Sequence, residues 1–200
     1  MAKANWLKVD PSQGSGNATV KVSSTAEHTG RKIRTTTLTW TAANVTDIVR
    51  TVAQSGKPEY ITMTNSASAD KEGKTVTING KSNSAKLTFA LGSGDLDLNL
   101  PQNYSVNSVV TANGAAIAGD PGATSEYEFF IPIIVPANPN IDEKTRQLVV
   151  RNEAGQTAVC TIRSAAGDAY VTVQEGTIEL DYLGTAVSWS VESNTSWTIS

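Results

Sequence analysis

The chain has 200 residues but only one histidine, His28, and one cysteine, Cys160. Those two scarcities remove much chemistry at once. A Ser-His-Asp triad needs a positioned imidazole, and His28 falls in Glu27-His28-Thr29-Gly30, which reads as a solvated turn. A zinc centre needs three or four His and Cys ligands, and a disulfide within the chain needs a second thiol. Cys160 alternates with polar neighbours in Ala158-Val159-Cys160-Thr161-Ile162, the pattern of an inward-facing strand residue, so a buried structural thiol is expected. Charged residues make up 18%, the net charge is −3, and Lys and Arg form no run, which leaves no electrostatic basis for a nucleic-acid or membrane partner. No stretch of 18 apolar residues occurs, and Met1-Ala2-Lys3-Ala4-Asn5-Trp6 has no apolar leader core, so synthesis in the cytoplasm without a signal peptide is expected. No glycine-rich phosphate loop leads from a strand into a helix. These absences predict no enzyme activity and no cofactor.

One acidic pattern remains. Asp95, Asp97 and Asn99 alternate with Leu96, Leu98 and Leu100, and their oxygens have the spacing to contribute to a calcium site. The stretch lacks the turn glycine and distal Glu of a calcium loop, so the wet face of a strand is the better reading, and no metal is expected.

What the chain has in quantity is Thr, Ser, Val, Asn and Gly, with no sustained apolar spacing of three and four residues. An all-β fold follows. Alternating segments bounded by turn residues predict strands at 6–9, 18–22, 33–40 and 47–54, then at 60–63, 74–79, 86–89, 95–100, 108–110, 126–135, 147–151, 157–163 and 170–174. Two breaks, Ser55-Gly56-Lys57-Pro58 and Glu175-Gly176, divide the chain into residues 1–56, 57–176 and 177–200. The middle part is long enough for an immunoglobulin-like β-sandwich with an insertion near residues 91–125. The last part holds three short expected strands, at 177–180, 186–191 and 196–199, that cannot bury a core unaided.

An internal repeat explains the tail. Gly73-Lys74-Thr75-Val76-Thr77-Ile78 with Ser82-Asn83-Ser84 recurs as Gly184-Thr185-Ala186-Val187-Ser188-Trp189 with Ser193-Asn194-Thr195, and Leu87 and Phe89 match Trp197 and Ile199 after a one-residue slip. Val52-Ala53-Gln54-Ser55-Gly56 reads as a second match, to Thr172-Val173-Gln174-Glu175-Gly176. The chain is thus two repeats cut out of phase, with residues 177–200 opening a domain that residues 1–56 finish. All four tryptophans lie in those two parts, Trp6 and Trp40 in the first and Trp189 and Trp197 in the last. Residues 1–56 carry seven Lys or Arg against three Asp or Glu, while residues 177–200 carry three acidic residues and no basic one, a complementarity that favours their encounter.

Read tail to head, Ser193-Asn194-Thr195-Ser196-Trp197-Thr198-Ile199-Ser200 followed by Asn5-Trp6-Leu7-Lys8-Val9-Asp10-Pro11-Ser12-Gln13-Gly14-Ser15-Gly16-Asn17 resembles the BACON domain, an immunoglobulin-like sandwich. The stretch 31–40 and the closing Val52-Ala53-Gln54 resemble the same pattern. The resemblance covers roughly 80 residues and leaves the middle part as a diverged relative. Domains of this family occur on structural proteins of crAss-like tailed phages of Bacteroidetes. The resemblance therefore implies a virion protein, with a head-decoration or head-fibre role and the major capsid protein or other virion proteins as neighbours. The alternative it implies is a carbohydrate-binding or adhesive module of a secreted protein, with host or mucosal glycans as ligands and Trp40 as the candidate sugar-stacking residue.

Completion within one chain or between two can be weighed by reach. The ends of a seven-stranded sandwich leave at opposite poles about 30–40 Å apart. The two-residue break at Glu175-Gly176 spans only about 7 Å. Exchange between copies is the expectation, with Thr177, Ile178, Leu180, Val187, Trp189, Val191, Trp197 and Ile199 of one chain packing against Trp6, Leu7, Val9, Val20 and Val22 of the next. A contact of this kind is head-to-tail, and a closed ring such as a trimer is expected.

Overall fold

A computed structural model describes residues 3–200, so Met1 and Ala2, on which the leader argument partly rests, lie outside the described residues. Among the described residues fifteen strands and one short 3-10 turn make up the regular structure, and the fold is all-β as the composition predicts. In chain order the strands are β1 (Leu7–Asp10), β2 (Lys21–Ser24), β3 (Arg34–Ala42), β4 (Val45–Gln54), β5 (Ile61–Met63), β6 (Ser66–Ala69), β7 (Lys74–Ser82) and β8 (Leu87–Gly94). There follow β9 (Asn103–Val106), β10 (Val109–Ala112), β11 (Tyr127–Val135), β12 (Lys144–Asn152), β13 (Thr157–Ser164), β14 (Val171–Val173) and β15 (Val191–Ser193).

The middle of the chain is a complete sandwich. One sheet runs β10-β9-β11-β7-β5 and the facing sheet β6-β13-β12-β8, which is the strand order of a constant-type immunoglobulin domain with a parallel β6–β13 pair added at one edge. Strand β11 shows why the sequence folds this way: Tyr127, Phe129, Ile131, Ile133 and Val135 alternate inward and are all buried. Pro132 interrupts nothing, because β9 pairs with β11 only at Phe129 and Phe130 and the edge beside Pro132 is free. Buried members of the main core all lie between Ala69 and Ile162, and the Phe89 and Tyr104 rings meet edge-on with centroids 5.6 Å apart. The insertion near 91–125 is part of this core, since β9 and β10 widen one sheet and Leu96, Leu98, Tyr104, Val106 and Ile117 are buried. Residues 95–100 form no ladder, yet their alternation still buries Leu96 and Leu98; the amides of Asp95 and Leu96 bond the Thr145 carbonyl instead of a neighbouring strand.

Two hairpins on either side repeat parts of this sandwich. In the β3–β4 hairpin Arg34 pairs with Gln54, and in β12–β13 Lys144 pairs with Ser164, each partner lying 110 positions further on. In β5–β7 Ile61 pairs with Ser82, and in β14–β15 Val171 pairs with Ser193, at spacings of 110 and 111. The motif match of 73–84 to 184–195 agrees with this register. The second match does not: Val52 corresponds in pairing to Ile162, and Thr172 to Thr62, so the likeness of Val52-Ala53-Gln54 to Thr172-Val173-Gln174 comes from strand composition rather than from equivalent position. The break at Glu175-Gly176 falls inside the β14–β15 hairpin, whose first strand was expected to close the middle sandwich. Strands expected at 177–180 and 196–199 have no ladder partner among the described residues, and their backbone stays outside any sheet.

Candidate functional site

The first part of the chain is half a sandwich. Strands β1 and β2 pair with each other, β3 and β4 pair with each other, and among the described residues neither pair gains a third strand. In the complete unit the corresponding β12 is flanked by both β13 and β8, and β13 by both β12 and β6. Leu7 and Leu38 are buried, but Val22, Trp40 and Ile48 stand open to solvent although they belong to alternating strands. Between the two hairpins lies a cleft of about 590 Å³ lined by Val9, Ala18, Val20, Leu38 and Trp40 with polar loop residues at its rim. One wall is stiffened by Arg34, whose guanidinium lies 4.6 Å from the Trp6 ring centroid and donates to Gln54 Oε1 at 2.7 and 2.9 Å.

The tail is the other half. Apart from the three residue pairs of β14–β15 it carries no sheet, and Ile178, Leu180, Val187, Trp197 and Ile199 are exposed. The repeat register makes the comparison quantitative. Trp40 is 43% exposed where Val150 is fully buried; Val187 is 51% exposed where Val76 is 8%; Ile199 is 84% exposed where Phe89 is 4%. Trp189 is half-buried, its indole N–H donating to the Gln174 carbonyl at 2.8 Å. No strand pair, ion pair or hydrogen bond among the described residues joins residues 3–56 to residues 170–200, so the structure brings together neither half of the expected complementing set with the other.

Both halves are held to the middle sandwich by the same device. The fully buried Asn83 donates from Nδ2 to the carbonyls of Thr29, Lys57 and Pro58, and its Oδ1 accepts the Tyr60 amide. Asn194 donates to the carbonyls of Pro139 and Asp168 and accepts the Tyr170 amide. Ser82 and Ser193 bond the carbonyls of Tyr60 and Tyr170 in the same way. At the first joint Arg31 adds a 2.5 Å ion pair to Asp120 and a bond to the Asn83 carbonyl, while its own amide and that of Lys32 bond Gly122 and Ala123. Gly30 is required there, since a Cβ would lie 2.3 Å from the Thr124 carbonyl carbon. The Arg31 pair holds the Asp120 carboxyl below the ordinary carboxylate range, its hydrogen bond being the main cause, and Tyr60, half-buried and donating to Glu126, is pushed upward, chiefly by desolvation.

The joint is what sequence reasoning missed. Ser82-Asn83-Ser84 and Ser193-Asn194-Thr195 stood out as repeat markers, and a polar triplet recurring at strand ends was the available signal of a shared hydrogen-bonding task. His28 is a correction. It is buried rather than solvated, with Nε2 2.6 Å from the Lys32 carbonyl, because its turn is pinned beneath the joint. Cys160 is buried in β13, and burial pushes its thiol up to about 11. Asp95 spends one carboxylate oxygen on the Thr145 amide at 2.9 Å.

No protein-family model matches the chain, and none of the curated proteins does. Among solved structures it is similar to an endo-fucoidan hydrolase of glycoside hydrolase family 107, at 10% identity and a TM-score of 0.30 over 82% of this chain and 22% of that one. It is similar also to the collagen binding domain of a surface protein of Erysipelothrix rhusiopathiae, at 10% identity and a TM-score of 0.22 over 74% of this chain and 63% of that one. The chain therefore spans less than two thirds of the length of each structure it matches.

Proposed function

We propose that this protein is a non-enzymatic structural subunit that assembles head-to-tail with copies of itself, each tail completing the open half-sandwich of the next, and that the assembly displays immunoglobulin-like domains on a virion surface. The observation that carries the assembly reading is the set of apolar positions that are buried in the middle sandwich and open at the same register in the two halves, Trp40 and Val150 among them. Isolated hairpins with one apolar face are marginal in water, so such a face implies a cover. The virion setting, with a head-decoration or head-fibre role, is supported by the BACON resemblance of the head and tail sequences.

Sedimentation of the full chain beside an Ile178→Asp, Ile199→Asp variant tests assembly. The wild type is expected to associate and the variant to remain a single chain with its middle sandwich folded; a wild type that stays monomeric at high concentration overturns the reading. Immunogold labelling of purified phage particles tests the setting, and unlabelled particles count against it.

A second reading rests on Trp40 alone, a large aromatic facing an accessible cleft. It takes the cleft as a glycan site. Glycan-array binding by the monomer, lost on Trp40→Ala with folding intact, would favour it over strand complementation.

A further inference from the structure

The middle sandwich is a template for the missing contacts. In the first unit the outer sides of β1, β2, β3 and β4 are all free. The counterparts of the last three, β11, β12 and β13, are covered on those sides by β7, β8 and β6. By the repeat register, the tail holds equivalents of all three covering strands: residues 185–193 for β7, residues 197–199 for β8 and residues 177–180 for β6.

Resting on the assembly reading above, we infer that residues 177–180 of one chain add in parallel to β4 of a second copy, pairing Thr177 with Thr51, Ile178 with Val52, Glu179 with Ala53 and Leu180 with Gln54, while residues 197–199 add antiparallel to β3 with Ile199 opposite Trp40. The parallel register is carried from the β6–β13 pairs Ser66 to Thr161 through Ala69 to Ser164. The antiparallel one is carried from Phe89 opposite Val150 and Leu87 opposite Asn152.

One choice has to be made in transferring the parallel pair, because the spacing between repeats is 110 before the tail's equivalent of β6 and 111 after it. At 110, Thr177 and Glu179 take the inward places of Ala67 and Ala69, which sends a carboxylate into an apolar core. At 111, Ile178 and Leu180 take those places and Glu179 faces water. Burying an unpaired carboxylate costs several kcal/mol or forces its protonation, so the second register wins.

A second copy, rather than the same chain, is the occupant. The first unit is jointed to the middle sandwich beside Ser82, which pairs with Tyr127 at one end of β11, and the tail is jointed at Pro139 and Asp168, just beyond Val135 at the other end. Nine residues of β11 put about 30 Å between the joints. Each tail is therefore pinned at the pole away from its own first unit. The charge supports this partner, since residues 1–56 are net basic and residues 177–200 carry Glu179, Asp181 and Glu192 with no Lys or Arg.

The test uses full-length chains with exposed cysteines, Ala53→Cys in one preparation and Glu179→Cys in another, the native Cys160 being buried. After mixing and mild oxidation, a non-reducing gel is expected to show a shift from one-chain to two-chain mass in the mixture and in neither preparation alone. A cross-link from Ala53→Cys to Ile178→Cys, and none to Glu179→Cys, overturns the register while leaving assembly in place. A chain carrying both substitutions that cross-links only internally overturns the second copy as occupant. Failure of the unmodified chain to associate by sedimentation removes the assembly reading itself and is thereby distinguished from a wrong register.

Discussion

Asn83 shows how much a single amide can hold. Fully buried at the end of β7, it ties Thr29, Lys57, Pro58 and Tyr60 together through four hydrogen bonds. Replacing it with alanine strands several backbone groups away from water, at roughly 1–3 kcal/mol each before relaxation. Asn83→Ala is expected to lower chemical-denaturation stability by about 3 kcal/mol. Asn83→Asp is expected to be worse, because a carboxylate replaces a donor facing three carbonyls; equal midpoints for wild type and Asn83→Ala would show the joint to be dispensable. Beside it, Arg31 and Asp120 make the joint acid-sensitive. The folded Asp120 carboxyl titrates below its unfolded counterpart, chiefly through the Arg31 hydrogen bond, so its contribution is present above the ordinary carboxylate value of about 3.9 and fades as pH falls through the lower folded value. Hydrogen exchange of the Arg31 and Lys32 amides, which bond Gly122 and Ala123, is expected to quicken in that acid window relative to β11 amides, and Asp120→Asn to remove the dependence.

At the scale of strands, equivalent positions in closed and open units make a controlled comparison. Leu148→Ala in β12 removes side-chain volume from a fully buried position and is expected to cost about 2–5 kcal/mol in unfolding. Trp40→Ala, on the corresponding strand of the open unit, is expected to leave the unfolding of the dilute single chain nearly unchanged and to abolish association seen by sedimentation. A large loss of monomer stability from Trp40→Ala would mean that the tryptophan already has a core. Alternation made most of these strands readable: Tyr127 to Val135, Leu148 and Val150, and Cys160 with Ile162 bury as their pattern predicts. Leu96 and Leu98 were legible as inward residues but not as loop, since period-two burial does not require a ladder partner. His28 and Arg31 were illegible, because their burial arises from a joint between units distant in sequence. The true repeat register was legible at Ser82-Asn83-Ser84, where side chains do one specific task, and misleading at Val52-Ala53-Gln54, where any strand end of similar composition matches.

For the whole molecule, the decisive property is that both joints are built alike and lie at opposite ends of β11. If the shared Asn joint sets the same rotation at both ends, the step from first unit to middle sandwich and the step on to the tail repeat one operation with a translation of about 30 Å. When a tail is completed by the next copy's head, the same step recurs without end. A repeated step with a translation along its axis gives an open helical array, whereas a closed trimer needs bends that sum to a full turn. Multi-angle light scattering across a concentration series is therefore expected to show mass rising steadily through successive multiples of the chain. Under the proposed assembly, added salt is expected to slow association, because it screens the opposite net charges of residues 1–56 and 177–200. A mass fixed at three chains across the series would instead mean that the two joints bend differently enough to close the ring, and cross-linked heads and tails would then be found with no free ends.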